Sequence, residues 1–200
     1  MNTKYFLGLT FYPDNSFSKI IDHFRSRFDP KYLANPDLYL PIVPPFEVEV
    51  TESQKLEQEL VEELESFFFD NTANHALDFS GLDVHEHKKN KILNLKPVMD
   101  EEFLLCQESL FAICQSYISD REKRMKESSK KTFLTIGRFD NPIDLHTSIE
   151  MASSEFQEFT SLAYQSICLF SKNNGIWYRE ADLLSFDKPD APFISPVPSA

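Results

Sequence analysis

The chain has 200 residues, 42% of them hydrophobic and 19 of them phenylalanine, which suits one sizeable core and excludes general disorder. With only four glycines, the phosphate-cradling loops of Rossmann and P-loop folds have nothing to be built from. A formal net charge of −12 repels a polyanion, so long RNA or DNA is a poor partner, whereas a small nucleotide or a protein is easier to accommodate.

Tyr5 to Phe11 is apolar and β-prone and reads as a strand. After the turn at Pro13-Asp14-Asn15, Ser16 is a plausible cap for a helix whose Phe17, Ile20, Ile21, Phe24 and Phe28 recur at spacings of three and four. His23, among Asp22 and Arg25 in this stretch, reads as solvated surface. Tyr39 to Val43 is a short β-prone run stopped by Pro44-Pro45, and Phe46 to Val50 resumes as a second one. Thr51 and Gln54 have the spacing of a capping box. The helix they open carries Leu56, Leu60, Leu64 and Phe67 on its core stripe, and its glutamates form a solvated face rather than a metal site.

Ala76 to Leu82 reads as a strand ending at Gly81, followed by a polar, turn-like His85 to Asn90 and a returning strand from Ile92 to Leu95. His85 and His87 share one face of an extended segment, a geometry open to a metal, but without a nearby third ligand they read as loop residues. Neither a metal nor another cofactor is expected.

Asp100 starts the longest helix, with Phe103, Leu104, Leu110, Phe111, Cys114, Tyr117 and Ile118 as its buried stripe. Arg121, Lys123, Arg124 and Lys126 follow where cations favour the helix dipole. Phe133 to Phe139 is a strand, and Asn141-Pro142 opens a short helix carrying His146. Tyr164 to Phe170 and Ile176 to Tyr178 form a hairpin around Asn173-Asn174-Gly175.

The element order predicts an α+β fold: two similar lobes of antiparallel sheet with packed helices around a central cleft. They form a single domain over residues 1–187, with a proline-rich tail at 188–200. Cys106, Cys114 and Cys168 have no paired spacing and read as buried free thiols, which suits a reducing cytosol. The apolar run at the start is too short for a signal peptide, and no window is long enough to span a bilayer, so a cytoplasmic location without membrane contact is expected.

Several stretches resemble the 2H phosphoesterase superfamily, which includes 2'-5' RNA ligases and cyclic phosphodiesterases. Leu38-Tyr39-Leu40-Pro41-Ile42-Val43-Pro44-Pro45-Phe46 is similar to its first motif, a His-x-Thr followed by apolar residues and often Pro-Pro-Phe. Phe133-Leu134-Thr135-Ile136-Gly137-Arg138-Phe139 is similar to its second His-x-Thr, often continued as Ile-Gly-Arg. Leu77 to Leu82 with Ile92 to Leu95 resembles the central hairpin, and Gln165 to Phe170 with Trp177 the terminal one, so the likeness covers Lys4 to Phe186.

The resemblance implies a cleft where two histidines shuttle protons and the motif hydroxyls hold phosphate. The chemistry needs imidazole because its pKa, ~6.5, lies near working pH. Here Tyr39 and Phe133 occupy the histidine positions and Pro41 one threonine position, while Thr135 is kept. Losing general acid–base help costs on the order of 100- to 10,000-fold per group, so catalysis is expected to be impaired or absent. The expected ligand-binding cleft is lined by Tyr39, Phe133, Thr135 and Arg138, and its expected ligand is a small nucleotide or phosphate. Two alternatives stand beside this reading. One is an active cyclic-nucleotide or 2'-5' phosphodiesterase with rearranged residues, His146-Thr147-Ser148 serving as a His-x-Ser motif. The other is a protein-interaction module built on the acidic helices.

Overall fold

The structure, a computed structural model, describes residues 2–35, 37–68, 75–87, 90–118, 125–126, 132–156 and 161–188. Strand β1 (Asn2–Phe11) is buried from Tyr5 onward because both its faces are covered. Helix α1 (Ser16–Phe28) is capped by Asn15, not Ser16: the Asn15 side chain accepts from the Phe17 N–H at 2.8 Å. Phe17, Ile21 and Phe24 turn inward as their spacing predicts.

Strand β2 (Tyr39–Glu49) is one element where the sequence suggested two. Proline is tolerated here because β2 lies at a sheet edge and pairs only with β1. Register shifts at Tyr5/Leu7 and Leu7/Gly8 place an extra β2 residue around Pro44-Pro45 and another around Ile42. The capping box at Thr51 does not form. A 3-10 turn over Val50–Glu52 leads instead into α2 (Ser53–Phe68), where Leu56, Leu60 and Leu64 are fully buried.

Strand β3 (Ala76–His87) does not stop at Gly81. Gly81 holds φ 132° at a bulge where the register shifts between Phe79 and Leu82, a conformation that suits glycine, and the strand runs on through His85. Strand β4 (Asn90–Val98) returns antiparallel. Helix α3 (Glu101–Ser116) is capped by Asp100, which accepts from the Phe103 N–H at 2.7 Å. Leu104 is 45% exposed and outside the buried stripe, which Cys106 and Gln107 join instead. The helix ends near Ser116, so the basic cluster is not in its last turn; Arg121, Lys123 and Arg124 lie outside the described residues.

Strand β5 (Leu134–Phe139), helix α4 (Pro142–Glu155) and the hairpin β6 (Ser161–Asn173) and β7 (Ile176–Ser185) complete the order. Asn141 caps α4, accepting from the Ile143 N–H at 3.0 Å. Asn174 (φ 49°) and Gly175 (φ 85°) make the β6–β7 turn, and paired positive φ values match the strand twist.

The strands form one antiparallel sheet in the order β2-β1-β6-β3-β4-β5, with β7 also on β6. Strand β6 is shared: Ser161–Ala163 pairs with β3, and the segment from Tyr164 to Ser171 pairs with β1. This divides the sheet into a half built on β2, β1 and β7 and a half built on β3, β4 and β5. Each half lays a helix against the other's outer strand, α1 on β5 and α3 on β2. A large apolar core results, with a separate small cluster of Phe6, Cys168 and Phe170 beside it, and each fully buried Leu or Phe contributes on the order of 1.5–3 kcal/mol. The three cysteines are free and buried. Among the described residues no helix is long and apolar enough to cross a membrane. The tail from 189 onward is outside the described residues.

Candidate functional site

Between β2 and β5 lies a cavity of about 200 Å³ whose wall includes Phe6, Tyr39, Pro41 and Trp177 on one side and Phe133, Thr135 and Arg138 on the other. The four cleft residues expected from sequence thus share one cavity. Behind it, Gln107 of α3 acts as a strut: its side-chain amide donates to the Ile42 carbonyl at 2.7 Å and to the Thr132 hydroxyl at 2.8 Å. Gln107 is 4% exposed, so these bonds fix β2 against the start of β5 away from water.

The β2 side is a stack of rings. Phe6 and Phe170 lie parallel at 4.6 Å, Trp177 meets Phe6 edge-on at 4.6 Å, and Tyr39 sits 4.9 Å from Phe6 and 5.3 Å from Phe170. Burial pushes the Tyr39 phenol above its ordinary value, against the pull of the Arg25 and Arg138 guanidiniums. A phenol so placed keeps its proton at neutral pH and serves as a donor, not a base. Arg25 is only 4% exposed. Its guanidinium donates to the carbonyls of Asn35 (2.6 Å) and Asp37 (3.1 Å), tying the approach to β2 onto α1. Its neighbour His23 does face solvent.

The β5 side is polar. A register shift pairs Leu93 with Gly137 and Asn94 with Thr135, which leaves Ile136 as an extra residue on β5. In a regular strand Thr135 and Arg138, three apart, would face opposite ways. The bulge brings both to the cleft. Thr135 donates its hydroxyl hydrogen to Asn94 Oδ1 at 3.0 Å, and Asn94 is 2% exposed. Arg138 donates to Asp29, which also accepts from the Lys31 N–H at 2.9 Å. The sequence reading missed Asp29, Asn94 and Arg25; a polar residue at a helix end, within a helix or within a strand is too common a pattern to single them out.

Among the described residues no histidine lines this cavity. His146 stands on α4 with its side chain 77% exposed, 3.4 Å from Glu150, and is not brought to the cleft. His85 lies one layer out: its ring meets Phe133 edge-to-face at 4.2 Å, and its Nε2 is 3.2 Å from Asp83. The side chain of His87 is outside the described residues, among which no group of three candidate ligands is placed to hold a metal.

No family model matches the chain, and no curated protein matches it in sequence. Among solved structures, the fold is similar to that of Usb1 from Kluyveromyces marxianus, with a TM-score of 0.53 at 13% identity over 88% of this chain and 96% of that one. A structure described as a phosphoesterase aligns with a TM-score of 0.49 at 12% identity over 90% of this chain and 94% of that one. The two-lobed α+β architecture implied by the resemblance to 2H phosphoesterases is the architecture found.

Proposed function

We propose that this chain is a non-catalytic protein of the phosphoesterase fold that holds a small nucleotide in the cleft between β2 and β5. One observation carries the reading: the cavity keeps a guanidinium, a hydroxyl and aromatic rings, while its two proton-transfer positions hold Tyr39 and Phe133. Phenylalanine cannot move a proton, and the Tyr39 phenol stays protonated, so neither the attacking nor the leaving oxygen of a phosphodiester would receive help. Binding makes no such demand. Arg138 gives part of its fork to Asp29 and keeps further N–H donors for a phosphate, while Thr135, its hydroxyl hydrogen given to Asn94, shapes the wall beside it. The cavity, about 200 Å³, takes the phosphate and sugar, and the base lies at the mouth against Trp177, where stacking contributes ~1–3 kcal/mol.

The chain contains a single tryptophan, so intrinsic fluorescence reports on this cleft. Titration with adenosine monophosphate is expected to change Trp177 emission saturably, and Arg138→Gln to weaken the apparent affinity at least tenfold. No saturable change in the wild-type protein would end the proposal.

A further inference from the structure

The sheet carries a titratable pair onto the same face as the polar wall of the cleft. Register sets His85 of β3 opposite Ile92 of β4, and Ile92 opposite Arg138 of β5, so the three side chains share one face. The next row on that face holds Asp83, Asn94 and Thr135. With strands ~4.8 Å apart, His85 stands about 10 Å from Arg138 across the sheet. Its ring also meets Phe133, part of the cavity wall, at 4.2 Å.

The charges around this ring set the sign of its effect. His85 Nε2 lies 3.2 Å from Asp83, and both side chains are partly exposed. On β4, Ile92 and Asn94 are uncharged, while Lys91 pairs with Glu86 at 3.5 Å on the opposite face. On β5, Arg138 is paired with Asp29 from the end of α1. The side chain of His87 is outside the described residues. While the imidazole is neutral, the carboxylate of Asp83 adds a negative charge that opposes an anion at Arg138. Once the imidazole is protonated, the Asp83–His85 pair is neutral and that opposition ends. At ~10 Å, one unit of charge changes anion binding about two- to fifteenfold for effective dielectric constants of ~80 to ~20, before salt screening.

We infer that His85 makes the cleft's hold on a phosphate pH-dependent, tightening it as the imidazole gains a proton. This inference rests on the reading of the cleft as a nucleotide site and adds its regulation. By linkage, a phosphate in the cleft favours the protonated ring to the same extent. His85 touches neither phosphate nor base and acts through its charge.

Calorimetric titration of the full chain with adenosine 2',3'-cyclic phosphate, in low salt at about pH 5.5 and about pH 8, tests it. A diester keeps one charge over this range, whereas a monoester takes up a proton near pH ~6 and would confuse the result. The wild type should bind about fivefold more tightly at the lower pH. His85→Gln, at an exposed strand position, should bind equally at both, with the affinity the wild type has at the higher pH. His146→Gln, on the exposed face of α4, should keep the wild-type response. A side chain that merely supported Phe133 would change both affinities alike. No binding at either pH would overturn the nucleotide site and this inference with it. Wild-type binding that ignores pH, or a pH response that survives His85→Gln, would overturn the inference alone.

Discussion

The two sides of the cleft occupy equivalent places at the two edges of the sheet and are built in opposite ways. On the β2 side Tyr39 is absorbed into a ring stack with Phe6, Phe170 and Trp177, Pro41 lines the wall beside it, and Arg25 locks the approach from behind. On the β5 side the wall is polar: Thr135 bonds Asn94, and Arg138 faces the cavity, held by Asp29. Apolar packing rewards any ring of suitable size, whereas a buried polar network fails when one member is lost. In the proposed function the β2 side supplies shape and the β5 side supplies recognition.

Substitutions break this contrast in graded steps. Phe170→Ala strikes the ring stack at a residue 1% exposed and should destabilise the protein by about 3–5 kcal/mol in urea unfolding, with Trp177 emission shifting as its neighbour Phe6 loosens. Arg138→Ala strands the carboxylate of Asp29, 3% exposed at its side chain, and should cost about 3 kcal/mol while abolishing nucleotide binding. Replacing both as Arg138→Met with Asp29→Leu should recover stability but not binding, which separates the structural role of the pair from its role in recognition. Thr135→Val leaves Asn94 Oδ1 buried without its donor and should cost roughly 1–3 kcal/mol, with weaker binding. Were Phe170→Ala to abolish binding while Thr135→Val and Arg138→Ala left it intact, the division of labour would be reversed.

The smallest expected effect concerns pH. Because burial raises the Tyr39 pKa, folding favours its protonated form. That contribution is complete below the unfolded value, about 10, and is lost as pH rises through the folded one. Tyr39→Phe should therefore flatten the fall in stability above pH ~10, measured by unfolding at stepped pH, and leave stability near neutrality little changed.

Much of the fold could be read from local signals: apolar stripes at helical spacing, Asp100 and Asn141 before their helices, and Asn174-Gly175 at a hairpin turn. Those signals involve residues that act on their own neighbours. Two caps read from local signals, Ser16 and Thr51, were misplaced without touching the cleft; the failures that bear on the cleft share the opposite property. Pro44-Pro45 reads as a stop because the sequence does not reveal that β2 is an edge strand, where a missing N–H leaves no ladder bond unmade. The cleft positions Tyr39, Phe133, Thr135 and Arg138 were reached through motif resemblance. Strand alternation alone would have set Thr135 and Arg138 on opposite faces, because the bulge at Ile136 is invisible until β5 pairs with β4. Arg25 and Asp29 look like solvated helix-end residues. Their burial depends on carbonyls ten or more positions away and on an arginine from another strand.

The claim that this cleft binds without turnover is tested most directly by following adenosine 2',3'-cyclic phosphate by ³¹P NMR in the presence of stoichiometric protein. The expected result is a shifted or broadened cyclic-phosphate resonance with no monoester signal growing in over hours. A monoester resonance accumulating beyond the protein concentration, and absent from an Arg138→Ala control, would contradict it.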